Sequence, residues 1–538
     1  LSAGTPPGLR LLGRSEAARL GTAAALLALS FPPLPFGPLC LVALTPALAV
    51  LDEDPRPGFR RGFLRGAFCG SIFYLILLFW FWDLIRFTPL IVPSWFLTGL
   101  YQGSLVGLAA GSAQWLSVRS GRPVSLFLPF TWLGLEKVFQ FGDLRFTWGV
   151  LANALAPHPL LIQTAELWGA LGVSFLIVGF NGLAFEAWKA RADPHRRTRR
   201  LAALVALAAA VLAYGLLRWT TYGGAAPMAG RGEGSDETVR VAVVQPNIPQ
   251  EARDDPARAD VEKARLFELS RKALAQDPDL VVWPETAAPW LRYDPDYRAD
   301  LIDLCCGVAR ATATPFLVGG LDAEDAGTPE ERIYNAAFMI SAAGEISGIY
   351  RKVLLVPMTE QVPYVSVLGV LKPERWSGRF RSGAGFFPLT FTARRPGFEG
   401  EVAVGVPICY EITFPQALRG FRAHGARLIV TITNDAWFGR TPAPFQHFEQ
   451  VRLRAVENRI AVARAANTGV SGFVGPRGDV LAKTGIFEAG VMVANLPLAG
   501  PPTPYARWGD WILPVSWLGL ALFVAVSSIR ARTPTDPP

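Results

Sequence analysis

Residues 402 to 433 read VAVGVPICYEITFPQALRGFRAHGARLIVTIT. Two short apolar runs, 402–408 and 428–433, have the composition of buried strands, and 414–424 between them has the pattern of an amphipathic helix. Cys409 falls where the first strand gives way to the helix. A thiol there lies near helix N-terminal N–H groups, which lower a thiol pKa and can bind an oxyanion.

The alternation extends in both directions. Further strands are expected over 239–245, 280–283, 316–320, 334–341, 346–350, 469–474 and 491–496, and further helices over 257–276, 296–313 and 444–466. The pattern predicts a layered α/β domain over residues 222–507, entered through the Gly-rich polar linker 223–237. No internal repeat shows in the residues. Two more strand ends carry candidate chemistry: Glu285 in LVVWPE (280–285) and Lys352 in YRKVLLVP (350–357). Taken singly, each has a structural explanation, with Glu285 as a helix cap, Lys352 solvated and Cys409 in the core. Together they form a set in which a thiol nucleophile has a carboxylate base and a cationic oxyanion donor without histidine.

The rest of the chain is apolar. Seven segments, 17–31, 36–51, 63–85, 90–118, 124–141, 160–188 and 201–219, precede the α/β domain, and an eighth, 511–529, follows it. About 20 apolar residues span a bilayer core; the first two segments are short, broken by Phe31-Pro32-Pro33-Leu34-Pro35, and also fit a re-entrant hairpin. The expectation is a bundle of about eight transmembrane helices: a membrane domain over 1–221, and a final helix with a short cytoplasmic tail over 508–538. With no clear cleavage site after it, the first segment is expected to be retained rather than removed as a signal peptide. Glu136, Glu166 and Glu186 are expected at the membrane interface, with a polar headgroup pocket as the alternative.

Charge supplies the orientation. The 538 residues are 51% hydrophobic and carry a net charge of +8, with a mean hydropathy of +0.28. Residues 222–507 hold 31 Lys+Arg against 32 Asp+Glu, and the remainder holds 21 against 12. The positive excess therefore belongs to the apolar part, which removes the main support for a nucleic-acid-binding module. Seventeen of those basic residues fall on the side of the N-terminus and four, Arg86, Lys137, Arg145 and Arg218, on the other. The positive-inside rule then places both termini in the cytoplasm and the α/β domain outside. Five cysteines form no spaced framework, with Cys305 and Cys306 read as core residues, and four scattered histidines suggest no metal site.

The Glu285, Lys352 and Cys409 contexts resemble the carbon–nitrogen hydrolase (nitrilase) superfamily. The stretches VVQPNIPQ (243–250), WPETA (283–287), LVPMTEQVP (355–363), ICYEI (408–412), NDAWFG (434–439) and QHF (446–448), beside the apolar segments, are similar to the bacterial apolipoprotein N-acyltransferases. The resemblance covers nearly the whole chain and departs from the family at Met358-Thr359 and at Pro407. It implies an αββα sandwich on the outer face of a membrane bundle in the bacterial inner membrane. The implied reaction moves an acyl chain from a phospholipid, phosphatidylethanolamine by family resemblance, through a Cys409 thioester. The acceptor is the α-amino group of a diacylglyceryl-modified apolipoprotein. Glu285 would be general base and Lys352, with N–H groups near Tyr410, the oxyanion stabiliser. Glu360 would orient Lys352, with Glu411 either bounding the pocket or making an ordinary salt bridge. Trp437 and Phe438 are expected on an exposed substrate loop, with packing beneath the loop the alternative for Phe438. No cofactor is implied, and a monomer is the default. The rival readings are a membrane-anchored amidase using water as acceptor, and a non-enzymatic transporter or scaffold.

Overall fold

The computed structural model describes residues 12–222, 237–250, 259–288, 295–326, 328–361, 363–364, 380–395 and 398–530. The expected linker at 223–237, apart from Glu237, and the tail beyond Arg530 lie outside these residues.

The N-terminal part is helical. It comprises α1 (Arg14–Leu29), α2 (Thr45–Asp52), α3 (Phe59–Leu77), α4 (Ile91–Ser120), α5 (Val124–Val138), the one-turn α6 (Ala152–Leu155) and α7 (Pro159–Ile162), α8 (Ala165–Lys189) and α9 (Pro194–Thr221). Every segment expected to span a membrane contains helix, but the count of eight is not reached on length and composition. Two described helices suffice, Ala165–Ala192 and Pro194–Thr221, or three if α3 and the 3-10 helix Phe79–Arg86, bent by 47°, form one span. With 16 and 8 residues, α1 and α2 are too short at about 1.5 Å per residue to cross about 30 Å of hydrocarbon.

Helices α3 and α4 approach along two rows of glycine at four-residue spacing, Gly62, Gly66 and Gly70 facing Gly103, Gly107 and Gly111. A Cβ on Gly66 would sit 2.5 Å from Ala110 Cβ and 2.9 Å from the Val106 carbonyl. Small residues at such spacing let backbones touch where lipid and leucine are equally apolar. Three acidic residues of this part have close partners. Glu136 accepts from Trp132 Nε1 at 3.0 Å and Leu151 N at 2.8 Å, Glu186 accepts from Ser125 Oγ, and Glu166 pairs with Arg459 Nε at 2.6 Å.

Residues 238–497 form two six-stranded sheets. The strands are β1 (Thr238–Gln245), β2 (Leu280–Val282), β3 (Phe316–Glu324), β4 (Arg332–Ile340), β5 (Ile346–Arg351), β6 (Leu389–Arg395), β7 (Phe398–Gly405), β8 (Leu428–Thr433), β9 (Val462–Ala466), β10 (Gly472–Val474), β11 (Val480–Lys483) and β12 (Gly490–Pro497). One sheet runs β12-β1-β2-β3-β4-β5 and the other β6-β7-β8-β9-β10-β11. In both, the successive pairings are antiparallel, parallel, parallel, antiparallel, antiparallel. The repeat invisible in the residues is thus present in the topology, because hydrophobic pattern and strand order define it rather than residue identity.

Val241 and Val282 of the first sheet share a core with Val402, Val404 and Val430 of the second. Helices α10 (Ala259–Leu274) and α11 (Pro295–Thr312) cover the first sheet with Leu266, Leu269, Cys305 and Ala309. Helices α12 (Pro415–Ala423) and α13 (Ala443–Asn458) cover the second with Leu418, Phe421, Val451 and Ala455. The layering is the expected αββα sandwich; α14 (Pro504–Trp508) and α15 (Ile512–Arg530) follow.

Three details differ from expectation. The helix predicted over 444–466 stops at Asn458; Arg459 takes a left-handed φ of 45°, and 462–466 is a strand buried along its whole length. A strand covered on both faces has no alternation, and its alanines imitate helix. Strands β6 and β11 were not anticipated, and β7 ends at Gly405, leaving Ile408 in an isolated bridge to Ile432.

Gly66→Leu is expected to force α3 and α4 apart at a cost of about 1–3 kcal/mol, read as a lowered thermal midpoint of the full chain. Gly21→Leu, with no atom within 4 Å of its Cβ position, should leave the midpoint unchanged.

Candidate functional site

The chemistry-bearing residues sit at strand ends that converge on one edge of the sandwich. Glu285 follows β2, Lys352 follows β5, Cys409 follows β7, Asn434 and Asp435 follow β8, and Asn467 follows β9. Open α/β sheets place ligand sites beyond the carboxyl ends of their parallel strands.

Lys352 is 1% exposed, with Nζ 2.8 Å from Glu360 Oε1 and 3.4 Å from Glu285 Oε1. Burial alone would favour the neutral amine, but Glu360, Glu285 and Cys409 raise its pKa and keep it an ammonium. Asn335, buried on β4, donates Nδ2–H to Glu285 at 2.7 Å and to Glu360 at 3.1 Å. The other oxygen of Glu285 accepts the Asn434 amide at 2.8 Å, and that of Glu360 accepts the Val356 amide at 2.8 Å. Gly319 lies against this segment, and a Cβ there would meet the Pro284 carbonyl at 2.3 Å.

Cys409 is half-buried and holds a φ of 52°, the left-handed region. That conformation is costly for a non-glycine residue, and it persists where surrounding contacts overdetermine it. Burial pushes the thiol pKa up, Glu285 and Asp435 add to the rise, and Lys352 and a hydrogen bond with Thr433 oppose it. The direction of the shift favours the thiol, and Glu285 is electrostatically coupled to the sulfur. Among the described residues no group of His, Cys, Asp and Glu has metal-site geometry.

Glu411 forms no salt bridge among the described residues. It is fully buried and accepts from the amides of Val353 at 2.7 Å, Leu354 at 2.9 Å and Ile408 at 2.8 Å, and from Tyr350 OH at 3.0 Å. It ties the Lys352 segment to the Cys409 segment. The Tyr410 side chain turns toward the helical part, its hydroxyl donating to the Arg145 carbonyl at 2.5 Å. At the family departure, Met358 adopts a φ of 67° in the 356–361 turn that presents Glu360.

The expected exposed loop at 434–444 is instead docked. Asp435–Phe438 is a 3-10 turn in which Phe438 packs edge-on against Trp80 at 4.9 Å and Trp437 against Phe87 at 4.9 Å. Arg86 donates to the carbonyls of Ala436 and Trp437 at 3.1 and 3.2 Å. Partners more than 300 residues away in sequence cover the two aromatics, which no local pattern reveals.

Behind the turn lies a buried polar cluster that sequence reasoning did not assign. Asp435 Oδ1 accepts from Thr433 Oγ1 and faces His447 Nδ1 at 3.0 Å, and Oδ2 accepts from Arg464 Nη2 at 2.8 Å. His447 Nε2 lies 3.1 Å from the Cys409 carbonyl oxygen. Asn467 donates to Asn434 Oδ1 at 3.0 Å. Asn434 and Asp435 lie in the NDAWFG stretch and His447 in QHF, whereas Thr433, Arg464 and Asn467 lie in neither.

Residues 240–500 match the family described as Carbon-nitrogen hydrolase, and residues 23–183 match that described as Apolipoprotein N-acyltransferase N-terminal domain. The apolipoprotein N-acyltransferase of Geobacter metallireducens is 34% identical over 521 residues, covering 94% of each chain. That of Chlorobaculum tepidum is 30% identical over 532 residues, covering 94% of this chain and 95% of its own. The solved structure of an amidase from Nesterenkonia sp. is 22% identical, with a TM-score of 0.34 over 54% of this chain and 100% of its own.

Burial raises the Asp435 pKa, but Arg464 and His447 outweigh it and hold the carboxyl at about 2, below its ordinary value of 3.8. Asp435 thus adds stability that is complete above about pH 4 and lost as pH falls through about 2. Asp435→Asn should cost about 2 kcal/mol at pH 7, and thermal midpoints of variant and parent should converge as pH falls from 4 toward 2. A gap independent of pH would contradict an origin in charge.

Proposed function

The chain belongs to the apolipoprotein N-acyltransferase family, and from that premise we propose a two-step transfer in which Cys409 carries the acyl chain. The acyl donor is a phospholipid, phosphatidylethanolamine by family resemblance. The acceptor is the α-amino group of a diacylglyceryl-modified N-terminal cysteine. The observation that carries this reading is the meeting of three strand ends: Cys409 in a left-handed conformation, and Lys352 Nζ buried 3.4 Å from Glu285 Oε1 and 2.8 Å from Glu360 Oε1.

In the first step Glu285 takes the thiol proton as sulfur attacks the ester carbonyl. Lys352 and the amide of Tyr410 stabilise the oxyanion, and collapse expels the lysophospholipid alkoxide, which recovers the proton from Glu285. In the second, the acceptor amine attacks the thioester, Glu285 takes its proton, and the thiolate leaves and is reprotonated. No water and no cofactor enter the balance. Glu360 holds Lys352 in place, leaving Glu285 free to exchange the proton.

The arrangement in the membrane belongs to the same proposal. Seventeen basic residues against four support an orientation with both termini in the cytoplasm and residues 222–507 on the outer face of the inner membrane.

With labelled phosphatidylethanolamine and no acceptor, the parent should accumulate one hydroxylamine-sensitive acyl group per chain, and Cys409→Ala none. Glu285→Gln should slow that acylation by about 10²–10⁴-fold. The mechanism must be abandoned if the parent forms no adduct or Cys409→Ala forms as much.

A further inference from the structure

The strained peptide at the nucleophile is gripped from behind. Ile408 N–H, before Cys409, is held by Glu411 Oε2 at 2.8 Å, and the Cys409 carbonyl, after it, faces His447 Nε2 at 3.1 Å. A carbonyl oxygen only accepts, so Nε2 carries a proton and donates in either charge state of the ring. The ring is 1% exposed and has little freedom to turn. Its Nδ1 edge meets Asp435 Oδ1 and Arg464 Nη2, both at 3.0 Å, and its face lies 5.6 Å from the Trp148 ring.

In a trans peptide the C=O and the following N–H point in opposite directions. Fixing the Cys409 carbonyl on His447 therefore fixes the direction of the Tyr410 N–H, away from His447. Tyr410 is the second residue of the 3-10 turn Cys409–Thr413, and its N–H has no hydrogen-bond partner among the described residues, as expected of a first-turn donor. We propose that His447 is a positioning residue: by holding the Cys409 carbonyl it aims the Tyr410 N–H at the oxyanion that forms in both steps. The proposal rests on Cys409 being the nucleophile.

Two substitutions separate the ends of the ring. The amide nitrogen of Gln reaches the place of Nε2 and keeps the bond to the Cys409 carbonyl; that of Asn reaches only Nδ1 and loses it. In the full chain, His447→Gln should form acyl-enzyme from labelled phosphatidylethanolamine within about tenfold of the parent rate. His447→Asn should be slower by about 10²–10³-fold, the range for loss of one oxyanion donor, with donor KM unchanged. Alkylation of Cys409 by iodoacetamide, a displacement that builds no oxyanion, should proceed at the parent rate in both variants. The proposal is overturned if His447→Asn acylates like the parent, if alkylation falls together with acylation, or if His447→Gln is no faster than His447→Asn. Should His447→Asn fail to fold, a His447→Gln variant with the parent's thermal midpoint but lost acylation would overturn it equally. Cys409→Ala retaining acylation is a different failure, that of the nucleophile assignment itself.

Discussion

A single buried cation governs how this site is built. An ammonium as deep as that of Lys352 costs several kcal/mol unless carboxylates meet it at short range. Glu360 and Glu285 do so from two other segments, and Asn335 bridges them from a third. The end of β2, the end of β5 and the 356–361 turn must therefore coincide for the charge to be tolerated at all. Glu411 passes the constraint to the second sheet, because the same carboxylate holds the amides after Lys352 and the amide before Cys409. Glu285, Lys352 and Cys409 are thus positioned by the groups that make the buried charge affordable.

The second organising element is α13. Its outward face would suit a surface helix, with Gln446, Arg452, Arg454 and Glu457, yet every residue from Gln446 to Asn458 except Glu449 is buried. The helical part supplies the partners. Trp148 donates to Gln446 at 2.7 Å, Gln446 donates to the Pro32 carbonyl at 2.9 Å, and the Ala170 amide donates to Glu457 at 2.8 Å. Arg459, just beyond, pairs with Glu166 and donates to Gln163 at 2.7 Å. The sandwich is therefore seated on the helices through directional polar bonds, which fix orientation more strictly than apolar contact does.

Local pattern carried much of this architecture. The runs 428–433 and 239–245 read correctly as strands because β-branched residues, short length and polar punctuation agree there. Glu285, Lys352 and Cys409 stood out as a set, because a carboxylate, a lysine and a thiol at three strand ends together suit nucleophilic chemistry although each alone has a structural explanation. What escaped was long-range. Asn335 looks like one polar residue in an apolar strand, and only the fold shows that it touches both carboxylates. The docking of Trp437 and Phe438 depends on Trp80 and Phe87, and β9 depends on cover from both sides; neither has a signature in its own neighbourhood. The close approach of α3 and α4 escaped as well, although glycine stands at every fourth position from Gly99 to Gly111.

The shared strand order of the two sheets has a consequence for assembly. Each half of the domain ends in a strand that closes the other half's sheet: β6 lies beside β7, and β12 lies beside β1, with Thr238 opposite Pro497. During synthesis the edge of β1 has no partner until nearly the whole domain has been made. A pairing between such distant residues is slow to form, and until then an uncovered strand edge invites wrong partners. The last strand thus acts as a completion check, and truncation shortly before residue 490 would leave a chain with its reactive residues present and its first sheet unsealed.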